Sequence, residues 1–531
     1  MKPTQKPHHR LTLYPILAAF APWIWGIVPA AGLAQIVPAN DGTGTIVTPQ
    51  GNQFNIDGGQ RSTDDRNLFH SFDRFGLDEG QIANFISHPQ IDNIFGRIVG
   101  SEPSYINGLL QVSGGNSNLY LINPAGIVFG TNASLNVPAD FTATTATGIG
   151  LDSGETLNVL GNNSWGNLVG NPQTLEFDLA NPGVVVNEGN LSVAAGRNLS
   201  LVGGVVANTG TLQAAGGTIT VTAVPGESLV RLSAAGNVLS LEVDPGVGGM
   251  NLNPRSLPEV LTGGNGTADT SRLVANPDGT VSLVGSGEKL DPRTGTLFVS
   301  GSLNASTPAS IASLPQIWAL GDRIALLNAT LNASGWQGGG NIFIGGDFQG
   351  SGSLPNASGV FVNSNSLIFA DALYSGNGGR VIVWADDTTR FYGNISARGG
   401  NAPGFAPQNG GFVEISGKEA LVFRGQVDVS ASRGNLGTIL FDPDDITIGN
   451  PLNPPDEDEP NPPPQNGDNP LNPPDEDEPN PPPQNEDDSE GLPPPDEDEP
   501  NPPPQNGDNP LNPPDEDEPN PPPQNEDDSE G

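Results

Sequence analysis

The sequence predicts an all-β chain wound as a right-handed parallel β-helix, a single-stranded solenoid, followed by a disordered acidic Pro-rich C-terminal tail. Three observations carry this reading. Short apolar runs of strand character are broken every few residues by Gly, Asn and Asp, with almost no helical periodicity. Two strand patterns return at steps near 20 residues, which is solenoid spacing. From residue 451 onward the composition changes abruptly to Pro, Asp, Glu and Asn.

The N-terminus comes first. Lys2, Lys6 and Arg10 precede a largely apolar stretch from Leu11 to Val28, and Gly32-Leu33-Ala34 fits a small-x-small cleavage site before Gln35. This is the layout of a secretory signal peptide over 1–34, cut between Ala34 and Gln35. Pro15, Pro22 and Pro29 interrupt the apolar run and argue against a membrane anchor.

Residues 35–450 read as uniform. The strings GGTITV (216–221), GGNIFI (339–344), GGRVIV (378–383) and GGFVEI (410–415) echo one another, as do LSVAAG from Leu191, LQAAGG from Leu212, LNASG from Leu331 and ISARGG from Ile395. Leu191 and Leu212 should lie in adjacent coils, as should Leu199 and Ile219. A single coil cannot bury its inward side chains, whereas a stack can. Coils of ~20–25 residues would number roughly 16–20. A β-sandwich array would instead need strands at a spacing of about 8–12 residues, joined as antiparallel hairpins with primed-turn signals.

The tail spans 451–531. PDEDEPNPPPQN begins at Pro455, Pro474, Pro495 and Pro514, and the segment from Pro454 to Gly491 returns unchanged as Pro494 to Gly531. With 28 of the chain's 53 prolines, 26 acidic residues and no Lys, Arg or aromatic residue, it has nothing from which to build a core. An extended, solvated spacer is expected.

Charge and composition narrow the function. The formal charge is -40, so nucleic acid is excluded as a natural partner. There is no Cys, and only His70 and His88 lie beyond the leader, so no metal site and no cofactor are expected. The acidic candidates for hydrolytic chemistry are Asp64-Asp65, Asp371, Asp386-Asp387 and Asp442 to Asp445. Neighbouring carboxylates on a strand point to opposite faces, so these are read as solvent-facing or capping groups and no catalytic residue is assigned. GGDFQG (345–350) is Gly-rich but opens no helix that would complete an anion site. Trp336, Trp384 and Tyr392 are read as packing residues, with contact to sugars as the alternative.

One corner stands out. Between the strand-like Leu121-Ile122 and Ile127-Val128-Phe129 lies Asn123-Pro124-Ala125-Gly126, with Pro at a turn's second position and Gly where positive φ is tolerated. The segment Val99 to Val137 that holds it resembles the N-terminal secretion domain of the filamentous haemagglutinin family of two-partner secretion exoproteins. The family signature Asn-Pro-Asn-Gly-Ile appears here as Asn123-Pro124-Ala125-Gly126-Ile127, with Ala125 in place of the third-position Asn. A second signature, Asn-Pro-Asn-Leu, has only a loose relative in His88-Pro89-Gln90-Ile91. The resemblance implies a secretion domain over 35–245, a β-helical continuation over 246–450, and Asn123 to Ile127 as a secretion-recognition motif. It implies recognition by the periplasmic domains of a dedicated outer-membrane β-barrel transporter. It further implies a secreted or surface-attached protein of a Gram-negative-type bacterium, a non-enzymatic adhesin or surface-interaction rod directed at host or neighbour-cell glycans or proteins. The alternative is a β-helical carbohydrate-active enzyme.

Overall fold

The computed structural model describes residues 36–232, 238–243, 273–275, 281–283, 289–290, 294–307 and 313–449; the proposed leader, the cleavage position Ala34/Gln35 and the acidic tail lie outside them. The described residues form a parallel β-helix in which each regular coil contributes three short strands. In one coil these are Asn118–Ile122, Ile127–Phe129 and Ser134–Asn136, and the next coil begins at Phe141–Thr144. Each strand pairs in parallel with its counterparts in the coils before and after: Asn118–Ile122 with Asn93–Ile98 and Phe141–Thr144, and Ile127–Phe129 with Ser104–Ile106 and Val184–Asn187.

The inward positions explain why these residues stack. One register column reads Leu68, Ile94, Leu119, Phe141, Leu199, Ile219, Ile317, Ile342, Val381 and Val413. All ten are at most 2% exposed and belong to one core that runs from Ile36 to Leu421. Each such side chain, buried, contributes about 1.5–3 kcal/mol. The expected neighbours are adjacent: Leu191 pairs with Leu212, and Leu199 with Ile219. Asparagines bind coil to coil. Asn93 Nδ2 donates to Asn67 Oδ1, Asn118 Nδ2 to Asn93 Oδ1, and Asn187 Nδ2 to Asn208 Oδ1.

Two expectations are corrected. One twelve-stranded sheet holds the antiparallel pair Thr45–Gln50 and Gln53–Gly58 and, from the latter onward, one parallel strand per coil, so the described residues hold fewer than a dozen such coils, not 16–20. The reason is that coils are longer than the shortest repeat: Ile342 pairs with Val381 and Val381 with Val413. Nor is the body uniform. Gly148–Leu151, Thr156–Asn158, Pro172–Phe177, Ser228–Leu232 and Val238–Val243 form a separate five-stranded antiparallel sheet. Ile149, Leu175 and Val230 pack it onto the outer face of the coils, against Ile122, Val202 and Leu320. Under it lie Phe69, Phe95 and Tyr120, stacked at 5.2 and 5.0 Å. At the N-terminal end Val37–Pro38 pairs antiparallel with Asn67–Arg74, and Thr45–Gln50 with Gln53–Gly58, which closes the first coil.

Candidate functional site

The corner at Asn123 joins the first strand of its coil to the second. It is a tight turn: Gly126 N–H donates to Asn123 O at 3.0 Å, and Gly126 sits at φ +125°, a conformation that disfavours any residue with a Cβ. The Asn123 side chain organises it. Its Oδ1 accepts from Ala125 N–H at 3.0 Å, and its Nδ2 donates to Glu102 O and Ser104 Oγ, both at 3.0 Å. Asn123 is 0% exposed. Every strong hydrogen-bonding group of the side chain is thus satisfied inside the chain, and it ties the turn to the coil before it. Pro124, Gly126 and Ile127 are also buried, and Ala125 alone is partly open to solvent. In the folded protein the corner presents a backbone shape and the Ala125 methyl, not the Asn123 amide.

A second cluster in the same region escaped sequence reasoning. Arg97 is 3% exposed. It donates to Asp41 Oδ2 at 2.8 Å, to Ser71 Oγ at 3.2 Å, and to the carbonyls of Asn158, Val159 and Gly161 at 2.7, 3.0 and 2.8 Å. Its guanidinium also lies 4.8 Å from the Trp165 ring. One side chain therefore joins the N-terminal closing segment, a coil strand and the antiparallel sheet. Burial alone would raise the Asp41 carboxyl, but hydrogen bonds from Ser71, Thr43 and Arg97 outweigh it and hold it at about 2. The only sequence signal was an isolated Arg in the apolar string IFGRIVG.

The acidic candidates are scattered into separate structural roles. Asp64 accepts from Ser62 Oγ, Arg66 N–H and Gly170 N–H. Asp371 holds Arg398 through Nε and an Nη at 3.2 and 2.8 Å. Asp386 accepts from Trp384 Nε1 at 3.0 Å and Asn356 Nδ2 at 3.1 Å. Burial, then the nearby carboxylates of Glu419, Asp322 and Asp386, push Asp387 above the usual range. Asp442 accepts from Gln349 Nε2 at 2.7 Å. Among the described residues, no group of three or more Asp, Glu or His side chains is arranged to hold a metal ion.

Residues 34–267 match the TPS secretion domain, the domain of two-partner secretion. The chain carries a two-partner secretion domain. The match contains both the Asn123 corner and the Arg97 junction. Solved structures similar to the chain include the HMW1 secretion domain from Haemophilus influenzae, at 20% identity over 79% of this chain and 100% of that one with a TM-score of 0.37. A filamentous hemagglutinin secretion domain is similar at 13% identity over 78% of this chain and 99% of that one, with a TM-score of 0.31. No curated protein matches the chain. The match marks residues 34–267 as a secretion domain of the two-partner type, the domain of proteins exported across the outer membrane through a partner transporter.

Proposed function

We propose that residues 35–245 direct export through a cognate outer-membrane β-barrel transporter with periplasmic recognition domains, after removal of a leader between Ala34 and Gln35. The remaining coils over 246–450 then act outside the cell as an adhesin or surface-interaction rod, with the acidic tail as spacer. The observation that carries this reading is the secretion-domain match over 34–267 around a corner with the Asn-Pro-x-Gly-Ile pattern. The absence of Cys agrees with it, since no disulfide locks the chain before a pore. Asn123 to Ile127 form the recognition motif. Because the Asn123 amide is buried in the folded corner, the transporter reads either the turn that Asn123 enforces or the segment before it folds.

The test is an export assay with and without the partner transporter, comparing wild type, Asn123→Ala and Asn187→Ala. Asn187 is equally buried, and its Nδ2 donates to Asn208 Oδ1 at 2.7 Å. Both substitutions leave buried groups unpaired, at about 1–3 kcal/mol each. Export lost in Asn123→Ala and kept in Asn187→Ala supports recognition. Normal export of Asn123→Ala removes the role from the motif.

A further inference from the structure

The corner that leads from the third strand of one coil to the first strand of the next is short in the N-terminal coils, at 193–198 and 214–217. It is longer in the C-terminal coils, at 333–340, 370–379, 397–411 and 429–437. Three of these longer corners, in successive coils, carry aromatic side chains that meet in space. Trp336 stacks on Tyr374 with ring centroids 4.9 Å apart and planes at 11°, and Phe405 meets Tyr374 edge-on at 6.1 Å. Tyr374 is 39% exposed and Phe405 57% exposed. The loops that hold them are fastened. Tyr374 N–H and Ser375 N–H donate to Trp336 O, Asn401 N–H donates to Tyr374 O, and the buried Gln408 amide closes the Phe405 loop onto Ala402. The Tyr374 and Phe405 rings are therefore held in place while open to solvent, with Trp336 partly buried behind them.

The same corners line a groove of about 670 Å³. Asn377, Asn409 and Asn435 run along it. Asn377 Oδ1 accepts Asn409 N–H and Asn409 Oδ1 accepts Asn435 N–H, both at 2.9 Å, which fixes the amides at coil spacing, about 4.8 Å. Among the described residues, no Asp or Glu lines the groove. Its cation, Arg380, is engaged by Asp347 at 3.7 Å and lies over the Phe343, Phe348 and Phe412 rings. The described lining thus carries one cation, paired with a carboxylate outside the groove, in an acidic protein. Carboxamides offer donors and acceptors to hydroxyl groups, and exposed aromatic rings offer apolar faces to C–H surfaces. Among the described residues, an anionic polymer would find no unpaired cation there.

We propose that the aromatic ladder Trp336, Tyr374 and Phe405, with the asparagine-lined groove beside it, binds an extended, uncharged polysaccharide. This deepens the surface-interaction reading and rests on it. The experiment uses the exported full-length chain and four immobilised polymers: cellulose, mannan and a β-1,3-glucan as neutral probes, and polygalacturonate as the anionic one. Wild type should be retained on at least one neutral polymer. Tyr374→Ala and Phe405→Ala should each weaken that binding about tenfold, with Tyr374→Phe keeping it. The amount of each variant exported is measured in parallel, so a failed export reading shows as loss of secretion and a failed binding reading as normal secretion without retention. Retention of wild type on no neutral polymer, retention on polygalacturonate alone, or unchanged binding by both alanine variants overturns the proposal.

Discussion

Phe69, Phe95 and Tyr120 stack along the outer face of the N-terminal coils and lie beneath an antiparallel sheet, each at most 5% exposed. Trp336, Tyr374 and Phe405 stack across the corners of the C-terminal coils, and the last two face water. Both rows set one ring against the next across successive coils, the first at a shared register position and the second from corners of different length. What differs is the cover. The secretion domain devotes an inserted sheet and a buried arginine to hiding its row. An aromatic row is therefore not by itself a sign of binding. In the covered region it adds to the core, and in the open region it remains available.

Removing the fastening of the cover should give the largest effect. Arg97→Ala leaves Asp41, Ser71 and three carbonyls without their donor and is expected to destabilise the folded chain by about 3–5 kcal/mol. The urea midpoint of the exported protein would fall, and proteolysis within 159–171 would speed up. Phe405→Ala in the open row should change stability by no more than about 0.5 kcal/mol. Equal losses for the two variants would abolish the distinction between the covered and open rows.

The parts of this comparison were unequally legible in the sequence. The core column was readable because its Leu, Ile and Val positions recur with the coil, and the steps from Leu191 to Leu212 and Leu199 to Ile219 are true registers. The inserted sheet was not. Gly148–Leu151 and Pro172–Phe177 carry the same strand-and-turn chemistry as the coils, and a two-residue alternation does not reveal whether the partner runs parallel or antiparallel. The Asn123 corner was legible as a turn from Pro124 and Gly126, but the bonds from Asn123 to Glu102 and Ser104 depend on which coil lies beneath. The open row was hidden for a related reason. Its coils differ in length, so Trp336, Tyr374 and Phe405 fall at irregular separations and leave no period to find.

The two regions should also respond to pH in opposite directions. His70 is fully buried, with no hydrogen-bond partner at either ring nitrogen among the described residues. It packs near Phe72 and Phe85, against Gly59, with Gly96 at the matching position of the next coil and Asp57 as the charged group that acts on it. Burial lowers it from 6.5 to about 4, against a smaller opposing pull from Asp57. A depressed folded-state value means that stability is intact above about pH 6.5 and is lost as pH falls toward 4, by about 3 kcal/mol in all. Denaturant midpoints between pH 7 and 4 should follow that slope, and His70→Leu should flatten it. A wild-type profile that stays level across this window would show that the ring does not titrate this way.

The smaller pH effect lies in the C-terminal coils and has the opposite sign. The Gly-rich string GGDFQG folds over the outer strand face, where Gln349, at φ +51°, turns its N–H onto both carboxylate oxygens of Glu414 at 3.1 and 3.2 Å. The Glu414 carboxyl thus takes up this loop's Gln349 N–H from inside the chain. Glu414 is 0% exposed. Burial raises it to about 7 from 4.5, Asp442 adds to the rise, and the Gln349 and Ser416 hydrogen bonds with nearby Arg380 oppose it. A raised carboxyl favours the folded form while it is protonated, so this contribution is present below pH 4.5 and is lost as pH rises through about 7. Amide hydrogen exchange at Phe348–Gly350 should accordingly quicken between pH 5 and 8 beyond the intrinsic rate. Glu414→Gln keeps the shape without the charge and should hold the loop closed across that range. If the Gln variant opens with the same pH dependence as wild type, Glu414 is not the group that governs the loop.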